Sequence, residues 1–208
     1  STAKELELFS KLPLQEKRIT AEACIAHLMF SFEDYETLGA KIKCNPSIKH
    51  INDRNALRAA LTDGTIDIVG TDHAPHLLKE KEGGALTATS GMPTHPYSLV
   101  SMLDLADQGV LKLTDIVRLM AHNPAELFSI HNRGYIRKGY KADLVLISKC
   151  DSNYPNIAHS QFNFCGWNPL EGKTFGWKVD TTFVNGNIAY NNGEFANRLY
   201  GEKVLFNR

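Results

Sequence analysis

The run Ile66-Asp67-Ile68-Val69-Gly70 passes without a spacer into Thr71-Asp72-His73-Ala74-Pro75-His76. The first five residues are short and β-branched, the composition of a strand buried on both faces. Such a strand belongs in a parallel sheet flanked by helices. The next six residues set a carboxylate and two imidazoles where the strand ends. Folds of the α/β class place their ligand sites at the carboxyl ends of strands. Asp72 emerges first, Pro75 stiffens the turn and His76 projects from the rim. An Asp-His pair alone would read as a surface turn with the carboxylate capping the next residue; the whole string favours a site.

The segments on either side alternate between helix and strand. Residues 1–12 read as a helix with Ser1 or Thr2 as cap and Leu6, Phe9 and Leu12 on one face. Arg18 to Ala26 reads as a strand, with Ile19, Ala21, Ala23 and Ile25 alternating with Thr20, Glu22 and Cys24. Ser31-Phe32-Glu33-Asp34 has the capping-box pattern and predicts a helix to Leu38, ended by Gly39. Asp53 is expected to cap a helix carrying Leu57, Ala60 and Leu61. From Thr71 to His95 the chain is irregular, and long loops in compact domains are often functional. Pro96 opens a helix through Leu99, Met102, Leu103 and Ala106; Thr114 caps one to Met120; Asn123-Pro124 begins another. After Asn132 the pattern turns to strands, at Tyr135–Gly139, Asp143–Ile147 and a Thr182–Tyr190 hairpin. Asn185-Gly186 supplies the positive φ angles of its type I′ turn.

Lys and Arg total 23 against 23 Asp and Glu, so the net charge is zero. That balance excludes the basic excess a nucleic-acid or anionic-membrane surface needs. No apolar run approaches the roughly 18 residues of a membrane span. Residues 1–6 show neither the basic nor the apolar part of a signal peptide. Cys24, Cys44, Cys150 and Cys165 form no CxxC pair, which fits reduced thiols in a cytoplasmic protein.

Thr71-Asp72-His73-Ala74-Pro75-His76 resembles the strand-8 signature of the dihydroorotases, metal-dependent (β/α)8 barrels of the amidohydrolase superfamily. Ile19-Thr20-Ala21-Glu22-Ala23 with His27-Leu28 resembles that family's strand-7 segment, with Ile25 and Ala26 in place of its Pro and first His. Lys43-Cys44-Asn45-Pro46-Ser47-Ile48-Lys49 resembles its K-x-N-P-P loop. Glu80-Lys81 and Ser90-Gly91-Met92-Pro93 lie where the family has a substrate loop. His122-Asn123-Pro124-Ala125, Lys141-Ala142-Asp143-Leu144-Val145 and Trp167-Asn168-Pro169-Leu170-Glu171-Gly172 resemble later elements in the same order. The resemblance runs through nearly the whole chain and covers less than half of the family's length.

The fold this implies is α/β: residues 1–132 as the C-terminal part of a metal-dependent (β/α)8 barrel, with strands 7 and 8, and residues 133–208 as a small β-sandwich lobe. The activity it implies is reversible zinc-dependent hydrolysis of dihydroorotate to N-carbamoyl-L-aspartate in pyrimidine biosynthesis. Alternatives on the same resemblance are another cyclic-amide hydrolase, such as allantoinase or dihydropyrimidinase, or a non-catalytic homologue serving as a structural partner. The resemblance makes Asp72 a zinc ligand and the proton-carrying base. It makes Asn45, His76, Ser90 and Gly91 substrate contacts. Asn45 by itself reads as a turn residue before Pro46. The remaining ligands of one or two zinc ions are expected upstream of this chain, so residues 1–208 alone are expected to be inactive. The missing N-terminal part of the barrel and a second copy, as a homodimer, are the implied partners. His73 reads as loop-ordering and His27 as core or second to the metal. Cys44 reads as a buried small hydrophobe, and Trp167 and Trp177 as core or interface aromatics. His50, His95, His122, His131 and His159 carry no assigned role.

Overall fold

The computed structural model describes residues 1–151, 156–157 and 163–207; His159 lies outside them. Its helices are α1 (Ala3–Leu6), α2 (Ile25–Met29), α3 (Tyr35–Leu38), α4 (Ile51–Ala60), α5 (Gly84–Thr87), α6 (Ser98–Asp107), α7 (Leu113–Val117) and α8 (Asn123–Leu127). Its strands are β1 (Glu22–Cys24), β2 (Ile68–Gly70), β3 (Leu144–Lys149), β4 (Asn156–Ile157), β5 (Thr174–Phe175), β6 (Trp177–Val184), β7 (Asn187–Asn191) and β8 (Glu194–Phe195). Strands β1 and β2 pair in parallel, Glu22 opposite Ile68 and Cys24 opposite Gly70. The antiparallel sheet has the order β3-β6-β7-β8, and β4 pairs with β5 apart from it.

The parallel pair is clamped at its lower end by a buried carboxylate. Asp67 accepts a hydrogen bond from the Ala21 amide at 2.9 Å and an ion pair from Lys17 Nζ at 2.7 Å. The Asp67 amide donates to the Ala21 carbonyl, also at 2.9 Å. Lys17 spends its other donors on the carbonyls of Gly64 and Thr65. Both charged groups are almost fully buried, and every donor and acceptor they bring inside is used. Asn123 Nδ2 donates to the Asp67 carbonyl at 2.6 Å, so α8 hangs on the same point.

Above this clamp, Leu28, Ile42, Leu61, Met102, Leu103, Leu105 and Leu119 form the core, each 1% exposed or less. Phe175, stacked on Tyr97 at 6.0 Å, brings the later chain into it. The antiparallel sheet is tied to α6 by Lys149–Asp107 at 2.7 Å and Trp177 Nε1 on Asp107 at 3.0 Å, and Lys173, just before β5, pairs with Asp104 at 2.8 Å.

Several elements differ from the sequence-based expectation. The first helix is four residues long, capped by Thr2 and Glu5 in a reciprocal box. Leu8 is 81% exposed, so a longer helix would bury no apolar face. The strand expected to reach Ala26 ends at Cys24, because Ile25–Met29 coil into a helix buried on every side. A short run buried on every side has no exposed polar face to tell strand from helix. Asp53 does not cap its own helix, whose N-cap is His50; its carboxylate holds the Ala3 amide at 2.9 Å and so tethers α1 to α4. Lys112, not Thr114, is the N-cap of α7. A π-turn at Arg118–His122 joins α7 to α8, and Pro124, having no N–H, cannot continue the ordinary ladder there. Tyr135–Gly139 is no strand. The Arg137 guanidinium lies 4.1 Å over the Tyr135 ring, His122 stacks on that ring at 4.0 Å, and the Tyr135 hydroxyl donates to the Glu126 carboxylate. Asn185 and Gly186 turn the β6–β7 hairpin with φ of 50° and 82°, as the sequence predicts.

Removing Lys17 would leave Asp67 buried and uncompensated. Lys17→Met is expected to lower the stability of the intact protein by about 3–5 kcal/mol, read as the shift in urea midpoint. A loss under about 1 kcal/mol would show that the clamp is dispensable.

Candidate active site

The parallel register brings the ends of β1 and β2 to one level, Cys24 beside Gly70. Asp72 follows two residues later, exposed, with φ 46°. That left-handed conformation is uncommon outside glycine, though aspartate tolerates it. It turns the chain sharply off the strand, and strained positions of this kind cluster at functional sites.

The loop beyond is ordered by His73. Its Nδ1 accepts the amides of Thr94 and His95, each at 3.2 Å, so that nitrogen carries no proton. Burial, and then the neighbouring His95, lower its pKa below the ordinary 6.5. Thr94 Oγ1 adds a 2.6 Å bond to the Thr71 carbonyl, and the Ala74 amide donates to Met92 at 3.1 Å. The loop-ordering reading of His73 matches these contacts.

Gly91 lies against the 74–76 turn. A Cβ there would meet Ala74 Cβ at 2.5 Å and His76 Cδ2 at 3.4 Å, and φ is +116°. Only glycine permits both the approach and the backbone angle. The Gly91 amide donates to the Lys43 carbonyl at 2.8 Å. His76, Gly91 and the segment entering Asn45 are therefore joined in one cluster. Asn45 itself is exposed, and its bond to Pro46 is cis. Ser90 is partly buried and His76 likewise, with the His76 carbonyl held by Trp167 Nε1 at 2.8 Å. Trp167 is thus core, as expected, and also the strut behind His76.

Lys81 was noted in the sequence only as part of a Glu-Lys pair, yet it is buried at the centre of this cluster. Its ammonium donates to the carbonyls of Gly91 at 2.6 Å, Thr89 at 2.7 Å and Lys43 at 3.2 Å. Burial, and then Lys43, lower its pKa. Nothing in a one-dimensional pattern separates a buried lysine from the exposed Lys79 two positions earlier.

The thiols near the site are held in the protonated form. Burial first, then Glu22 and Asp72, push Cys24 up to about 12; burial, then Asp72, push Cys44 up to about 11. Neither supplies a thiolate at neutral pH, and none of the four cysteines forms a disulfide. Asp72 offers an exposed oxygen donor suited to a divalent cation. Among the described residues no group of three His, Cys, Asp or Glu could hold a metal ion. No helix among the described residues is long and apolar enough to cross a membrane.

His27 is buried, and its Nε2 lies 2.9 Å from the Pro46 carbonyl, which can only accept. The neutral ring therefore carries its proton on Nε2. Burial lowers its pKa below the ordinary 6.5. Below that pH the unfolded chain takes up a proton that the folded ring refuses, so this histidine's contribution to stability is lost as pH falls. NMR titration of the His27 ring is expected to give a midpoint below 6.5. A midpoint above it would contradict the neutral, carbonyl-bonded ring.

A model described as the amidohydrolase family matches residues 8–189. The dihydroorotase of Halobacterium salinarum is 37% identical over 155 residues, which is 74% of this chain and 36% of that protein. The dihydroorotase of Clostridium acetobutylicum is 36% identical over 174 residues, 83% of this chain and 40% of that one. Among solved structures, the L-hydantoinase (dihydropyrimidinase) from Arthrobacter aurescens matches with a TM-score of 0.86 at 24% identity, over 94% of this chain and 44% of its own. The chain spans less than half the length of the relatives it matches. Its α/β architecture is of their barrel type, and the chain belongs to the amidohydrolase family.

Proposed function

We propose that this chain forms the later part of a dihydroorotase, with β1 and β2 as the seventh and eighth strands of its barrel and residues 133–208 as its β lobe. Asp72 carries the reading: an exposed carboxylate in a left-handed turn at the carboxyl end of a parallel strand. The clustering of His76 and Gly91 with the segment entering Asn45 supports it, as does identity to dihydroorotases over most of the chain. Likeness to the hydantoinase is one of fold and does not favour the other cyclic-amide hydrolases. In this reading the remaining metal ligands come from polypeptide outside residues 1–208, the 208 residues alone are inactive, and the working enzyme is a homodimer.

A zinc ion, when bound, would polarise the amide carbonyl and acidify water. Asp72 would lend it one oxygen. As base, Asp72 takes a proton from the attacking water. It delivers that proton to the ring nitrogen as the C–N bond breaks, which leaves N-carbamoyl-L-aspartate. A carboxylate suits both duties, because it binds zinc weakly enough to release and carry a proton. Asn45 and His76 supply donors for the substrate's own carboxylate. Gly91, without a side chain, leaves its backbone open to the pyrimidine edge.

Asp72→Asn in the intact protein keeps a polar side chain of the same size and loses the base. Turnover is expected to fall about 10²–10⁴-fold; near-normal turnover would refute the assignment. A second test uses dihydrouracil, which has the same ring and no carboxylate. His76→Ala and Asn45→Ala should each cost about 1.5–3 kcal/mol in discrimination between dihydroorotate and dihydrouracil, with zinc content unchanged. Loss of zinc with an unchanged kcat/KM ratio would instead make them ligands or scaffold.

A further inference from the structure

Lys81 is 5% exposed, and among the described residues no carboxylate lies within ion-pair range of its ammonium. Burying an ammonium without a counter-charge is costly unless dipoles replace the lost water. Here the three carbonyls do so, one for each N–H. They come from two separated segments: Lys43 precedes Cys44-Asn45, and Thr89 and Gly91 bracket Ser90. The ring face of Trp167, 5.9 Å away, closes another side. That same indole holds the His76 carbonyl.

Three bonds from one point fix more than distance. In a planar trans peptide the N–H points opposite to the C=O. With the Lys43 and Thr89 carbonyls turned in to the ammonium, the adjoining Cys44 and Ser90 N–H groups must point away from it. Neither N–H has an acceptor among the described residues. Unpaired backbone donors are rare in folded chains, and here two flank the cluster that contains Gly91 and His76.

We propose that Lys81 is the positioning residue of this site. By holding the carbonyls of Lys43, Thr89 and Gly91, it locks the Asn45 and Ser90-Gly91 segments together and turns the Cys44 and Ser90 N–H groups out as donors to an anionic or carbonyl-bearing ligand. Its effect on turnover rests on the dihydroorotase reading; its effect on the loops does not.

The test uses Lys81→Met in the intact protein, with two readouts. Hydrogen exchange at the Gly91 amide, which bonds Lys43, should quicken about tenfold or more, while the Phe30 amide at the end of α2 stays protected. KM for dihydroorotate should rise about tenfold or more, with kcat changed far less. In Lys81→Ala, ethylammonium should restore both, and tetramethylammonium, with the same charge and no N–H, should restore neither. Unchanged Gly91 exchange, equal rescue by the two cations, or variants that unfold and are not recovered by ethylammonium would each overturn the proposal. If the unaltered protein fails to turn over dihydroorotate, the substrate reading falls, and the exchange readout alone decides the role of Lys81.

Discussion

The Asp67 carboxylate takes the Ala21 amide while the Asp67 amide takes the Ala21 carbonyl. One residue is thereby gripped from both sides, and the register of the parallel pair follows from it: Glu22 opposite Ile68, Cys24 opposite Gly70. A strand of three residues has too few ladder bonds to hold its register alone. The clamp is electrostatically expensive, since Lys17 and Asp67 are both withdrawn from water. It persists because Lys17 also satisfies two carbonyls and because removing either partner would strand the other charge. Everything above depends on this alignment, because a slip of one residue would turn each strand's side chains to the opposite face and displace Asp72 by a residue's rise.

At the other end of the same strands the chain uses a second buried lysine in a different way. Lys17 is paired with a carboxylate; Lys81 is paired with carbonyl dipoles alone. The first arrangement joins two strands, and the second joins two loops. A flexible stem carrying three donors suits both, since an ammonium can gather acceptors that have no fixed mutual geometry. Around Lys81 the remaining devices are steric and neutral: Gly91 lets the loops approach, His73 accepts two amides with an unprotonated nitrogen, and Trp167 braces His76. The exposed groups Asp72 and Asn45 are thus borne by backbone that is held from behind.

Much of this cluster was legible as a string. Thr71–His76 directly after a β-branched run announced a strand with polar groups at its carboxyl end, and Asn185-Gly186 announced a hairpin. Both signals are local: one is a change of composition across a single peptide bond, the other a demand for positive φ. The failures have a common cause. Ile25-Ala26 read as more strand because two apolar residues carry no period that tells strand from helix; in the fold they open Ile25–Met29, a helix whose five side chains, His27 included, are all buried. Tyr135–Gly139 read as a strand because tyrosine and isoleucine are β-formers. In the fold those residues are held by a guanidinium and a histidine ring instead of by a ladder.

The sequence by itself determined the place of Asp72 at a strand end, the Asn185-Gly186 hairpin and, through its resemblance, the family to which the chain belongs. The first two depend on residue type and near-neighbour spacing, the third on the order of several short motifs along the chain. Tertiary structure alone decided that Asp53 serves α1 rather than its own helix, that Asp67 grips Ala21 46 residues away, and that Lys81 is buried while Lys79 is not. A carboxylate or an ammonium can accept or donate in any direction within reach, so its partner is chosen by which backbone groups the fold leaves unpaired nearby. That choice exists only after the chain has closed on itself.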